Sequence, residues 1–127
     1  MNGILLVGAG GALGAMARYG VSLGVGRLAL GAFPYATLIV NVVGSVLMGI
    51  FIGLMARLLP EWQAEARLFL AVGVLGGFTT FSSFSLDTIV LMERGELAQA
   101  ALYVVLSVVV CLVGLYLGLL ITRGGTA

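Results

Sequence analysis

The chain is 127 residues long and carries a formal net charge of +1, with 61% hydrophobic and only 9% charged residues. Soluble domains contain roughly 25% charged residues, so this composition excludes an ordinary water-soluble domain and indicates a membrane protein. Lysine and histidine are absent, and no basic patch exists that could hold nucleic acid.

Four apolar segments are predicted to cross the bilayer as helices, at about residues 4–26, 35–56, 67–92 and 98–122. A helix needs about 20 apolar residues to cross the hydrocarbon layer, so residues 1–127 form a single all-α domain with short loops. Leu59-Pro60-Glu61-Trp62 is predicted to be a turn. The first segment has no basic residues before it, so we expect a permanent span and not a cleaved signal peptide.

The first segment contains glycines four residues apart and one arginine, Arg18. Such glycine pairs let helix backbones approach closely. The first segment contains two such pairs, Gly10 with Gly14 and Gly20 with Gly24, and the second and fourth segments contain one each, Gly49 with Gly53 and Gly114 with Gly118. An arginine at the centre of a span raises the free energy of membrane insertion by about 2.5–3.5 kcal/mol, so its presence there suggests a function. Three roles are open for the Arg18 side chain: it extends to the membrane interface (snorkels), it bonds to a helix end, or it attracts an anion.

The second segment places small and polar side chains on one stripe. The stripe comprises Thr37, Asn41, Gly44, Ser45 and Met48. Asn41 lies near mid-span, where its amide either bonds across a helix interface or contacts a ligand. The sequence alone leaves both alternatives open.

The third segment contains GGFTTFSSF at residues 76–84. Each glycine destabilises a helix by about 1 kcal/mol relative to alanine, so a break is predicted at Gly76-Gly77. A break inside the bilayer persists only where its backbone is buried in protein, lines water or holds an ion. Freed carbonyls suit Na+ or another hard cation. Alternatively, a hydroxyl of Thr79 or Thr80 simply caps the second half-helix.

Beyond the break, Phe81 and Phe84 are predicted to share one helix face, beside a polar stripe of Thr80, Ser83 and Asp87. Phenylalanines usually just pack, but the edge of a phenyl ring carries partial positive charge and can favour an anion. The hydroxyls would supply hydrogen-bond donors. The sequence therefore favours a pathway for a small anion that accepts hydrogen bonds strongly.

The fourth segment aligns polar and small residues on one stripe. The stripe comprises Tyr103, Ser107, Cys111, Gly114 and Gly118. Cys111 is the only cysteine, so neither a disulfide nor a cysteine metal cluster is expected within the chain. We expect Cys111 to behave as a small hydrophobic residue.

The arginines give almost no orientation bias. With a cytoplasmic N-terminus, three lie inside and two outside: Arg57, Arg67 and Arg123 against Arg27 and Arg94. Loop arginines normally fix the direction of insertion. The hypothesis is therefore a dual-topology protein whose two oppositely inserted copies form an antiparallel dimer.

Three stretches of the chain resemble the fluoride-channel family Fluc (CrcB). They are GGALGAMARY at 10–19, NVVGS at 41–45 and GVLGGFTTFSSFSLD at 73–87. The resemblance covers nearly the whole chain, and its most specific part is the Gly-Gly-x-Thr-Thr-Phe-Ser-x-Phe string. It implies a channel and not an enzyme: a dual-topology homodimer in the inner (plasma) membrane, with two antiparallel pores that export cytoplasmic fluoride passively.

The resemblance also implies residue roles. The implied fluoride pore residues are Asn41, Phe81, Phe84, Thr80, Ser83, Tyr103 and Ser107. Arg18 would draw anions into the vestibule, and the carbonyls of Gly76 and Thr79 from both subunits would hold one structural Na+ at the dimer axis. Ser83 stands where many relatives carry threonine, which keeps the hydroxyl. Asp87 stands where relatives often have glutamate, which leaves its role open.

Two other classes compete with a channel. A proton-coupled exporter of the small multidrug-resistance type needs an acid inside the membrane, usually early in the chain. Here no acid precedes Glu61, and Asp87 is the only embedded candidate. A scaffold subunit without transport would explain the glycines and leave the hydroxyl and phenyl groups unused.

Overall fold

The computed structural model describes residues 2–28, 31, 33–58 and 61–123. The helices in chain order are α1 (Gly3–Gly26), α2 (Tyr35–Leu58), α3 (residues 63–78), α4 (Phe81–Glu93) and α5 (Leu97–Thr122). Helices α3 and α4 together form the third span, and each of the four spans is long and apolar enough to cross a membrane. The four predicted spans are thus confirmed. Leu59 and Pro60 of the predicted turn lie outside the described residues.

Local sequence signals set several helix ends. Asn2 caps α1, because its Oδ1 accepts the backbone N–H of Ile4 at 2.8 Å. Helix α4 ends in a Schellman motif: Gly95 adopts φ +80°, and the backbone N–H of Glu96 donates to the carbonyl of Leu91 at 2.9 Å. Glycine suits this left-handed position because it has no Cβ. The turn that follows leads directly into α5.

Glycines bring the helix backbones together in two pairs of spans. A Cβ on Gly10 or Gly14 of α1 would collide with backbone atoms of α3, and one on Gly49 would collide with the backbone of Leu115 on α5. A Cβ on Gly118 would lie 2.6 Å from the carbonyl oxygen of Val46. The predicted close packing is therefore present between α1 and α3 and between α2 and α5. By contrast, Gly20 and Gly24 meet no described atom within 4 Å.

The third span departs from regular α-helix in two places. Residues Arg67–Leu75 of α3 form a π-helix, a wider geometry that is rare and often occurs at functional sites. The chain then becomes extended at Thr79, with φ −83° and ψ 159°, and at Thr80, with φ −153° and ψ 118°. The prediction of a third helix broken near its middle is confirmed.

The position predicted for that break was wrong by about three residues. Gly76 and Gly77 are still helical, and the break falls at Thr79 and Thr80. Gly77 has a different reason to be glycine, because a Cβ there would lie 2.6 Å from the carbonyl oxygen of Gly11. Close approach of α1, and not helix breaking, requires this glycine.

Many large apolar side chains of the described residues remain on the outside of the single chain. Among the described residues the buried core is small and includes one cluster around Phe51, Met55 and Ala71 and another around Leu91, Ala100 and Tyr103. Such an apolar exterior fits lipid, which offers no competing water. The chain is a multi-pass membrane protein.

Candidate ion-conduction site

The break in the third span is held by one side chain from the second span. The Asn41 Oδ1 accepts the backbone N–H of Thr80 at 2.8 Å, and the Asn41 Nδ2 donates to the carbonyl of Thr80 at 3.0 Å. Asn41 therefore replaces both backbone hydrogen bonds that the extended residue loses. One N–H of its amide is left for another acceptor, since the NH2 group carries two donors.

The carbonyls at the break fall into two groups. Those of Leu75, Gly77 and Thr80 accept hydrogen bonds: Leu75 from the N–H and Oγ1 of Thr79, both at 3.0 Å, Gly77 from Arg18 Nε at 3.1 Å, and Thr80 from Asn41. Within the described part of the chain, the carbonyls of Gly76 and Thr79 accept no hydrogen bond. These two oxygens are free to act as hard ligands.

Arg18 lies at the end of α3. Its Nε donates to the Gly77 carbonyl, which is one of the last carbonyls of that half-helix. A cation at a helix C-terminus is stabilised by the partial negative charge of the unpaired carbonyls. Of the three alternatives for Arg18, the structure shows the bond to a helix end.

Thr80 begins the second half-helix. Its Oγ1 accepts the backbone N–H of Ser83 at 3.1 Å and lies 3.3 Å from the Oγ of Ser82. This is an N-cap, which satisfies one of the unpaired N–H groups of α4. The capping alternative for the Thr80 hydroxyl is confirmed, while the Thr79 hydroxyl turns back to the Leu75 carbonyl.

A cavity of about 310 Å³ lies between α2, α4 and α5. It is lined by Asn41, Phe81, Phe84, Ser107, Val108, Cys111 and Leu112. The hydroxyl of Ser107 is buried, at 7% exposure for the residue, and has no hydrogen-bond partner among the described residues. A buried polar group without a partner is uncommon and costs about 1–3 kcal/mol.

The two phenylalanines of the cavity differ in environment. Their ring centroids are 5.4 Å apart, with planes tilted by 50°, so they share a face as predicted. Phe84 is partly buried and stacks against Tyr103 at 5.1 Å. Phe81 is 78% exposed, which leaves one wall of the cavity open on the outer face of the protomer.

Tyr103 lies behind Phe84 and is completely buried. Its hydroxyl donates to the Asp87 Oδ2 at 3.1 Å, and its ring meets Phe33 edge-on at 5.5 Å. The sequence placed Asp87 and Tyr103 on separate stripes and did not predict this bond. The Tyr103–Asp87 pair thus places polar groups beyond Phe84, and the Tyr103 ring reaches Phe33 just before α2.

The structure brings most of the predicted site residues into one region. Asn41, Phe81, Phe84 and Ser107 line the same cavity. Thr80 is attached to Asn41, Ser83 follows in the first turn of α4, and Tyr103 touches Phe84. Arg18 stands apart, at Gly77.

A second cavity, of about 190 Å³, was missed as a site. Its lining comprises Asn41, Gly44, Ser45, Met48, Thr79 and Leu115. The stripe on the second segment contained four of these six residues, so the signal was present, but it did not indicate that Thr79 would face them. Asn41 lines both cavities and stands between them.

Residues 5–119 match the family described as CrcB-like protein, Camphor Resistance (CrcB). The chain belongs to the CrcB family. It is 54% identical to a protein of Nitrobacter winogradskyi over 120 residues, 94% of each chain, and 51% identical to one of Rhodospirillum centenum over the full length of both. A protein of Agrobacterium fabrum is 50% identical over 97% of this chain and 98% of its own. All three CrcB relatives are named fluoride-specific ion channel FluC.

Membership of the CrcB family confirms the resemblance found in the sequence motifs. It does not support the alternative of a proton-coupled exporter of the small multidrug-resistance type. Asp87, the only embedded acid that such an exporter could use, is the acceptor of the Tyr103 hydroxyl.

Proposed function

We propose that the chain is a fluoride-specific channel of the inner (plasma) membrane, which lets cytoplasmic fluoride leave passively down its electrochemical gradient. The names of the relatives support this function. The observation that carries it here is the cavity that Asn41, two phenyl rings and Ser107 line together.

Fluoride holds water strongly, so a pore has to replace that water with other donors and still release the ion. The Ser107 O–H and the second N–H of Asn41 are two such donors. The edges of Phe81 and Phe84 add weak positive potential without a fixed charge. The hydroxyls of Thr80, Ser83 and Tyr103 extend the pathway on either side, and no step requires catalysis.

The proposed working unit is an antiparallel homodimer with two pores. Phe81 lines the cavity while 78% of it is exposed, so the site gains its missing wall from a second copy. The near balance of arginines permits insertion in both directions. The unpartnered glycines Gly20 and Gly24 give a second surface that suits helix contact.

Na+ is the proposed cofactor at the dimer axis. The carbonyls of Gly76 and Thr79 fit a hard cation, because they accept no hydrogen bond from the described residues. Each copy would contribute this pair of oxygens. A bound Na+ would offset the charge of the permeating anion, and Arg18 on the neighbouring carbonyl of Gly77 would add positive charge toward the vestibule.

Fluoride efflux from proteoliposomes tests this function. Vesicles loaded with potassium fluoride, given a potassium ionophore and followed with a fluoride electrode, should empty rapidly, while vesicles loaded with chloride should retain it. We expect Phe81→Ile and Phe84→Ile to reduce efflux by about tenfold or more, because an aliphatic side chain has no positive edge.

Phe51→Ile is the matched control, since Phe51 packs in the core cluster with Met55 and Ala71. It should lower stability and leave the efflux per folded protein unchanged. Efflux that stops when a protonophore collapses the pH gradient would contradict passive transport. Normal efflux in both cavity variants would remove the site assignment.

A further inference from the structure

The smaller cavity, of about 190 Å³, lies outside the proposed pathway, although Asn41 lines both cavities. On its α2 wall, Ser45 follows Asn41 by one helical turn, and Thr79 of the break lines the same cavity. Gly44 lets the break come this close, because a Cβ there would collide with the Cγ2 methyl of Thr79. The contact between α2 and the break therefore shapes this cavity as well.

The Ser45 hydroxyl is not used by its own helix. Four other hydroxyls donate to the carbonyl four residues earlier, those of Thr79, Ser85, Thr88 and Thr122. The Ser45 hydroxyl makes no hydrogen bond within the described part of the chain, and its oxygen is not enclosed by the protein. It is thus an accessible, unused hydroxyl on a residue that lines the smaller cavity.

Ser45 lies close to the middle of the second span, which runs from Tyr35 to Leu58. Lipid offers no hydrogen-bond partner at this depth, and polar side chains inside spans face water-filled cavities or the interior of the bundle and mark ion paths. Asn41 adds a second donor, because Thr80 uses only one of its two amide N–H groups. Two donors therefore stand one helical turn apart on this cavity.

We propose that the smaller cavity is a second binding site for a small anion that accepts hydrogen bonds, held by the Ser45 O–H and the remaining N–H of Asn41. This proposal rests on the proposed channel function, in which the anion is fluoride. Asn41 gives that N–H to an ion in one cavity at a time, and so passes fluoride between the two cavities.

The other walls of the smaller cavity suit weak, reversible binding. Met48 and Leu115 carry no charge, and an ion that has to leave again is served best by a site that does not hold it tightly. One water occupies about 30 Å³ in the liquid, so a cavity of about 190 Å³ admits the ion together with water. This water completes the shell that two protein donors leave open.

The test compares Ser45→Thr with Ser45→Val in proteoliposomes of the full-length protein. These two side chains have nearly the same shape and differ in the hydroxyl, so a difference in fluoride efflux reports the donor and not the volume. We expect efflux close to native in Ser45→Thr, and efflux lower by about tenfold in Ser45→Val and in Ser45→Ala, since donors replace the water of the ion. Ser85→Ala is the control and should match the native protein, because its hydroxyl is used within its own helix.

A second measurement detects binding without transport. A ligand that binds only the folded protein raises its melting temperature by mass action. Fluoride, compared with chloride at equal ionic strength in detergent, should therefore raise the melting temperature less in Ser45→Ala than in Ser45→Thr. Without either halide, Ser45→Ala should melt like the native protein, because its hydroxyl has no partner within the described residues.

Native efflux in Ser45→Ala, or equal losses in Ser45→Thr and Ser45→Val, would overturn the role of the hydroxyl. Lower efflux with the same fluoride-dependent melting shift in Ser45→Ala and Ser45→Thr would mean that the cavity holds water only, which overturns the ion site. If the native protein conducts no fluoride, the proposed function fails, while the melting shifts still decide whether Ser45 binds the ion.

Discussion

The side-chain amide of Asn41 pairs with both backbone polar groups of Thr80, at 2.8 and 3.0 Å. Thr80 lies at the break of the third span, where no helical partner satisfies its N–H and carbonyl. In lipid, each such group left unpaired would cost several kcal/mol. Asn41 is thus a structural residue of the break and a wall of both cavities, and the two alternatives considered for its amide are compatible.

We expect Asn41→Ala to lower stability and abolish fluoride efflux together. Hydrogen bonds between membrane helices contribute about 0.6 kcal/mol on average and up to about 1.7, so the loss of two should amount to about 1–3 kcal/mol. Thermal unfolding in detergent measures the stability. Val43→Ala, on the exposed face of the same helix, is the control, and equal destabilisation by both variants would contradict the role of the amide.

Ser107→Ala should separate function from stability. The Ser107 hydroxyl has no partner within the described residues, so its removal breaks no protein hydrogen bond and should leave stability unchanged or slightly higher. Fluoride efflux should nevertheless fall by about tenfold, corresponding to about 1.4 kcal/mol, if this hydroxyl donates to the ion.

Ser85→Ala is the matched control for Ser107→Ala. The Ser85 hydroxyl donates to the carbonyl of Phe81 in its own helix at 3.1 Å, and the residue does not line the cavity. We expect its efflux to equal that of the native protein. Undiminished efflux in Ser107→Ala would mean that the orphan hydroxyl does not contact fluoride.

The adjacent glycines Gly76 and Gly77 should respond differently to alanine. A Cβ on Gly77 would lie 2.6 Å from the Gly11 carbonyl oxygen, whereas one on Gly76 would lie 3.5 Å from that of Ala71, an ordinary contact. Gly77→Ala should therefore destabilise the protein by about 1–3 kcal/mol through overpacking. Gly76→Ala should be neutral or stabilising in thermal unfolding, because alanine favours the helix; equal losses would show that the break, and not packing, requires both glycines.

Gly76 and Gly77 show how much of the fold could be predicted from the sequence. Four spans followed from hydropathy and length, because lipid allows only helices with satisfied backbones. A break in the third span followed from the glycines and hydroxyls of 76–84. Its position did not, because the glycines have helical dihedrals and serve the approach of α1, a tertiary contact that local propensity does not contain.

The sequence predicted which residues form the candidate site better than it predicted the contacts between them. Phe81, Phe84 and Ser107 share a cavity as their helix faces suggest. The bond from Tyr103 to Asp87 and the attachment of Arg18 to Gly77 join different spans. Such pairings depend on how helices are placed relative to one another, and periodicity within one helix carries no information about them. The π-helix at Arg67–Leu75 likewise had no signal in the residues that form it.

Arg18→Gln should test whether the arginine anchors a helix end or attracts anions. The bond from its Nε to the Gly77 carbonyl is 3.1 Å, and hydrogen bonds from charged groups contribute about 1.5–3 kcal/mol. We expect a stability loss of this size in thermal unfolding. Any vestibule effect on efflux should shrink as ionic strength rises, because salt screens exposed charges over about 10 Å at 0.1 M. An Arg18→Gln variant that keeps its stability, and whose efflux deficit relative to the native protein disappears at high salt, would contradict the anchoring role.

If the proposed Na+ joins two copies, replacing it should weaken the proposed dimer before it alters the fold of each chain. The proposed ligands are the carbonyls of Gly76 and Thr79 from two copies, which accept no hydrogen bond from the described residues. The proposed ion would therefore link the copies, whereas Asn41 and Thr80 hold the break within each chain. In detergent containing N-methyl-D-glucamine in place of Na+, we expect the dimer to dissociate at a higher protein concentration than it does with Na+. The reason is that a ligand that binds only the assembled form stabilises it by mass action. Helicity measured by circular dichroism should stay unchanged. K+ serves as the control for ion size. Dimer dissociation that is the same with every cation would exclude these carbonyls as the Na+ site.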